Sequence, residues 1–150
     1  MKIYLATDHA GFQLKEEIKN YLSKNYEVLD CGAYSLDPTD DYPMLISKVG
    51  EAIENDPNSL GIIFGKSGAG EEIVANKFKN VRAVLGFSKE NVKLSRQHNN
   101  ANVLSLGEQF ETFEKAKELV EIFLKTPFSS DPRHVRRIEE IKKIENKNYA

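Results

Sequence analysis

The stretch Leu60–Lys77, LGIIFGKSGAGEEIVANK, constrains the fold most. An aliphatic run fits a buried strand, glycines then break it at Gly65, Gly68 and Gly70, and a helical pattern opens with Glu71 and Glu72. Glycine lets the backbone turn sharply and expose its N–H groups, which with the helix N-terminus behind them suit an oxyanion or a phosphate. Ser67 adds a hydroxyl to the turn, and Glu71 stands at its exit, where a carboxylate can act as a base. A plainer account is equally open: any βα turn can contain glycine, and Glu is favourable in any first helical turn.

Two nucleotide motifs fail on spacing. A P-loop needs Gly, four residues, then Gly-Lys-Ser/Thr, and Gly65-Lys66-Ser67 has Leu60 at the required position. In a dinucleotide fingerprint, Gly68-Ala69-Gly70 would need Gly or Ala where Ile73 stands. The net charge of −2 gives no electrostatic reason to expect nucleic acid. With a single cysteine, Cys31, no intrachain disulfide forms. No apolar run approaches membrane-spanning length, and the apolar part of MKIYLATDHAG is too short for a signal peptide. A soluble, cytoplasmic chain with no membrane partner is expected. Its 150 residues suit one domain, 1–150, without internal repeats.

The alternation seen at 60–77 runs along the whole chain. Lys2–Thr7, Tyr26–Asp30, Leu60–Phe64, Arg82–Phe87 and Asn102–Leu106 are short, aliphatic and strand-like. Leu14, Ile18, Tyr21 and Leu22 share one helical face, as do Ile46, Val49 and Ile53, with Pro43 at a first helical position. Phe113, Ala116, Val120 and Phe123 repeat the pattern. Asp131 caps a last helix with Pro132 at its first position and Val135, Ile138, Ile141 and Ile144 as its apolar stripe. The expectation is an α/β, Rossmann-like three-layer fold with a five-stranded parallel sheet.

Ligands of such sheets bind outside the carboxyl ends of the strands. Asp8 and His9 follow the first strand, and Ser67 and Glu71 follow the third. Arg96-Gln97-His98-Asn99 ends the helix after the fourth, and Arg133, His134 and Arg137 open the last helix. All 3 histidines fall in these segments, where a single one would pass for a surface or core residue. Arg133 and Arg137 share a helical face near an N-terminus, a poor place for cations unless an anion is present. They fit a phosphate clamp, or else they are solvated or paired with acidic neighbours.

Together these segments resemble ribose-5-phosphate isomerase type B, the sugar-phosphate isomerase family that also includes galactose-6-phosphate isomerase subunits. The matching pieces are ATDHAG at 6–11, DYP at 41–43, GKSGAGEEIVANK at 65–77, VRAV at 81–84, LSRQHNNANVLSLG at 94–107 and RHVRR at 133–137. The resemblance implies a homodimer, or a dimer of dimers, with sites at the subunit interface. It implies a sugar-phosphate substrate, no cofactor and no metal. It assigns ring opening to His98 and Asp8, phosphate binding to His9, Arg133 and Arg137, and the enediolate anion hole to Ser67 with the turn at Gly68 and Gly70. Asn99 and His134 are expected to contact substrate. The family's base is either a Cys at the start of the turn or a Glu after it, and Gly65 with Glu71 matches the Glu form. Two positions depart from the pattern: Lys66 replaces a small residue, and Gln109 replaces an Arg that helps bind phosphate across the interface. Open alternatives are isomerisation of allose 6-phosphate or a tetrose 4-phosphate, and a non-catalytic sugar-phosphate-binding protein.

Overall fold

Every aliphatic run expected to be a strand joins one parallel sheet. The computed structural model describes residues 1–149. Strands β1 (Lys2–Thr7), β2 (Glu27–Asp30), β3 (Leu60–Gly65), β4 (Ala83–Leu85) and β5 (Val103–Gly107) pair in the order β2-β1-β3-β5-β4. Helices α1 (Phe12–Leu22), α2 (Tyr42–Asn55), α3 (Ala69–Ala75), α4 (Lys89–Asn99) and α5 (Phe113–Lys125) lie between and after the strands, and α6 (Pro132–Asn148) ends the chain.

Alternation along β3 sorts the core. Leu60, Ile62 and Phe64 face a cluster with Leu14, Ile18, Val92, Leu119 and Phe123, so α1, α4 and α5 cover one side. Ile63 faces the other side, with Ile46, Val49, Ile53 and Ala75 from α2 and α3. Each aliphatic side chain taken fully out of water contributes roughly 1.5–3 kcal/mol. The three-layer α/β/α arrangement expected from the sequence is therefore present.

Boundaries differ where side chains compete with the ladder. β4 ends at Leu85, not Phe87, because Asn91 takes the next backbone groups: its Nδ2 donates to Leu85 O at 3.0 Å and its Oδ1 accepts from Phe87 N at 2.8 Å. Ser88 and Asn91 then close a capping box on α4. Pro43 takes the second position of α2, because Tyr42 already follows the cap at Asp41. Beyond β2 the pairing with β1 continues irregularly, with Thr7 N donating to Gly32 O at 2.8 Å and Ala33 N to Thr7 O at 2.9 Å. Lys15, fully buried, holds this segment by donating to both Asp30 oxygens at 3.0 and 2.8 Å and to Ala33 O at 2.7 Å.

The apolar stripe of α6 is the main departure. Val135, Ile141 and Ile144 are 40%, 45% and 63% exposed, and His134 is the buried member of this helix among the described residues. The periodicity is helical as expected, but among the described residues Ile138 is only half-buried and the rest of the stripe is largely uncovered.

Candidate active site

The carboxyl ends of β1 and β3, adjacent in the sheet, hold the first group of residues. Of the three glycines in the turn, Gly68 is the one in the left-handed region, at φ 85°, and a Cβ there would also come within 2.6 Å of Leu85. Gly65 is needed for space: a Cβ on it would stand 1.8 Å from Glu71 Oε1. The Glu71 carboxyl thus fills the volume that a side chain at position 65 would occupy. β5 braces the turn from behind. Ser105 Oγ donates to Gly68 O at 2.7 Å, Glu108 N to Gly65 O at 2.8 Å and Gln109 N to Lys66 O at 2.9 Å.

Glu71 is 4% exposed. Burial pushes its carboxyl above the ordinary glutamate range, opposed by a hydrogen bond from its own backbone N–H and reinforced by the nearby charge of Asp8. Such a carboxylate is a stronger base than a solvated one. Asp8, also buried, accepts from Ala10 N at 3.0 Å and Gly11 N at 3.3 Å, which fixes it at the entry to α1. Ser67 is exposed, and its hydroxyl accepts from Ala69 N at 3.3 Å. His9 Nδ1 lies 2.7 Å from Asp40 Oδ1, and that contact foremost, against some desolvation, holds the imidazole pKa above its ordinary value.

His98, Asn99, Arg133, His134 and Arg137 lie elsewhere. A crossover helix runs antiparallel to its strands, so α4 ends at the amino ends of β4 and β5. Arg82, just before β4, donates from Nε to Asn100 O at 2.8 Å, which fixes that end of α4. α6 packs there: the His134 and His98 rings lie 4.3 Å apart and tilted by 35°, and Asn80 N donates to Glu145 Oε1 at 2.9 Å. β3 from Leu60 to Gly65 spans roughly 16 Å at about 3.3 Å per residue. One chain therefore does not gather all the expected polar residues at the carboxyl ends, and that expectation is corrected. The helix after the fourth strand had to be followed to its far end.

His134 is buried; desolvation lowers its pKa, with the charges of His98 and Arg133 adding to the effect, and its Nδ1 lies 2.8 Å from Ser129 Oγ. Arg133 and Arg137 are exposed. Arg133 Nε lies 3.5 Å from Asp131 Oδ2, a loose contact that leaves most of the guanidinium free to bind an anion. Gln109 is exposed and sits beside Lys66, so the two departures from the family pattern are neighbours in space. Cys31 is half-buried and its thiol pKa is raised by burial and by the charge of Asp30, as befits an unreactive packing residue.

Spacing in the sequence shows no metal-ligand pattern, yet ligand atoms of Asp8, His9 and Asp40 lie within 4.8 Å of one another. His9 Nδ1 and Asp40 Oδ1 are engaged with each other at 2.7 Å, so these two groups are already paired. Asp40 is the residue that sequence reading passed over. Its signal was Asp37-Pro38-Thr39-Asp40, with turn formers at the first two positions.

An α/β fold with a buried carboxylate beside a glycine turn is the frame of an enzyme acting on a small anionic substrate. The chain belongs to the ribose/galactose isomerase family, whose model matches residues 3–141. It is 42% identical to ribose-5-phosphate isomerase B of Mycolicibacterium paratuberculosis, covering 100% of this chain and 95% of that protein. Ribose-5-phosphate isomerase B of Mycoplasma genitalium, solved with bound ribulose-5-phosphate, superposes with a TM-score of 0.93 at 38% identity, covering 97% of this chain and 96% of the other. The same enzyme of Clostridium thermocellum superposes with a TM-score of 0.94 at 37% identity, over 100% of both chains.

Proposed function

We propose that this chain interconverts ribose 5-phosphate and ribulose 5-phosphate through a cis-enediolate, with Glu71 as the base. The buried Glu71 carboxyl, lodged over Gly65 and beside Asp8, carries the reading. With the sugar open, Glu71 takes the proton from C2 of the aldose. The C2–H electron pair becomes the C1–C2 double bond, and the carbonyl oxygen takes up the negative charge. The protonated Glu71 then returns the proton to C1 as the C2 oxygen becomes the ketone, and one proton passes from O2 to O1. Ser67 and the backbone N–H groups at Gly68 and Gly70 stabilise the enediolate oxygen. A positioned base is typically worth about 10²–10⁴-fold and an oxyanion donor about 10²–10³-fold.

The second half of the site comes from another copy of the chain. Asp8, His9, Ser67 and Glu71 of one protomer meet His98 and Asn99 of its partner; His98 and Asp8 open the sugar ring, and Asn99 contacts the substrate. Arg133, His134 and Arg137 bind the phosphate together with His9. The separation of the two groups across the sheet and the uncovered stripe on α6 both support a homodimer. The enzyme works as one domain, in the cytoplasm, in the pentose phosphate pathway, without metal or cofactor. A coupled assay for ribulose 5-phosphate, run with excess chelator, tests this. Turnover unaffected by chelation is expected; no turnover, or turnover restored by one divalent ion, rejects it.

A further inference from the structure

The strongest feature outside the residues already assigned is the contact between Asp40 and His9. Asp40 closes a turn that the sequence makes rigid. Pro38 presets the turn, Asp40 N donates to Asp37 O at 3.1 Å, and Asp37 Oδ1 accepts from Thr39 N at 3.0 Å and Thr39 Oγ1 at 2.7 Å. The Asp40 side chain, 13% exposed, then places a single oxygen, Oδ1, on two donors of His9: the backbone N–H at 2.9 Å and Nδ1 at 2.7 Å. Its other oxygen, Oδ2, is buried without a hydrogen-bond partner among the described residues. An imidazolium on His9, held against the same carboxylate at 2.7 Å, compensates that charge.

We infer that Asp40 is a positioning residue: it grips His9 by backbone and ring so that Nε2 is presented to the substrate phosphate. The inference rests on the reading of His9 as a phosphate ligand. It follows from imidazole chemistry that Nδ1–H is committed to Asp40 in either charge state. Nε2 then decides what the ring offers. In the neutral ring it is an acceptor, which repels phosphate; in the imidazolium it is a donor, which binds it. The carboxylates facing His9 are Asp40, Asp8 and Asp37, and all three favour the imidazolium. Asp40 therefore extends phosphate recognition to a higher pH than an unpaired histidine allows, its ordinary pKa being about 6.5.

The test is an NMR titration of the histidines in the full-length protein, with His9→Asn assigning the resonance, alongside kinetics of Asp40→Asn. In the wild type His9 titrates above the ordinary value. In Asp40→Asn it titrates lower, and inorganic phosphate binds more weakly. KM for ribose 5-phosphate rises about tenfold at neutral pH, the order of one charge-assisted hydrogen bond. The rise of KM with pH begins at lower pH, and kcat changes less than KM. Asp40→Glu restores part of the shift. A wild-type His9 that titrates at or below the ordinary value overturns the inference even if Asp40→Asn fails to fold. So does an Asp40→Asn that lowers kcat while KM and its pH dependence stay fixed. Titration and phosphate binding need no turnover. If they behave as stated while ribose 5-phosphate is not isomerised, the proposed reaction fails and the positioning role stands.

Discussion

The two ends of the sheet are built in different ways. At the carboxyl end, Asp8 and Glu71 are buried at 7% and 4% exposure, and three hydrogen bonds from β5 and the turn after it brace the loop between β3 and α3. At the amino end, His98, Asn99, Arg133 and Arg137 are exposed on helix ends, with the His98–His134 stack as their main fixed contact. The first half is preorganised within one chain, which suits the desolvated base proposed for Glu71. The second is a set of exposed donors and cations, which the proposed homodimer would close over. The two ends thus differ in burial and bracing, and under the proposed roles that difference implies different responses to mutation.

The largest effect belongs to the buried end. Glu71→Gln is expected to cost at least about two orders of magnitude in kcat while sugar-phosphate binding persists, whereas Glu72→Gln costs little. Equal, mild losses in steady-state assays would erase the distinction between the base and its helical neighbour. Next comes the exposed end. Removing the guanidinium of Arg133 or Arg137 is expected to raise KM by about 10–100-fold, as a charge-assisted bond is worth about 1.5–3 kcal/mol, with kcat far less affected. A kcat loss with KM unchanged would move these residues out of phosphate binding.

A smaller but sharper sign of the buried end lies in pH dependence. As the proposed base, Glu71 would work only when ionised, and burial raises its pKa, so activity is expected to be lost as pH falls through that raised value. The acid limb of kcat/KM should therefore lie above the ordinary glutamate value of about 4.3. A limb at or below that value would mean that the base is solvated. The smallest effect is expected at Lys66, which is exposed. Lys66→Gly should raise KM less than about fivefold, the scale of an exposed charge pair. A larger rise, reversed by Gln109→Arg, would show that Lys66 supplies the charge missing at the neighbouring position.

The carboxyl-end group was legible because it is local. Leu60–Lys77 writes strand, turn, carboxylate and helix in one segment, and that order needs no distant contact to be read. The core faces followed from period-2 and helical spacing. What the sequence concealed depended on tracing the chain through space. His98 looked like a neighbour of Glu71 because both follow strands, yet a helix carries it to the opposite end. Asp40 was hidden because its contact with His9 spans 31 positions. The stripe on α6 announced a helix but not what would cover it.

The proposed division of the site between two chains is tested most directly by mixing two variants that are each expected to be inactive. Glu71→Gln and His98→Asn chains, each assayed alone and then exchanged in equal amounts, form mixed dimers in which one site of the two holds both native residues. Random pairing makes half of the dimers mixed, so about one quarter of wild-type activity should return. Activity no greater than the sum of the separate variants, with subunit exchange verified, would show that Glu71 and His98 act within the same chain and would contradict the account.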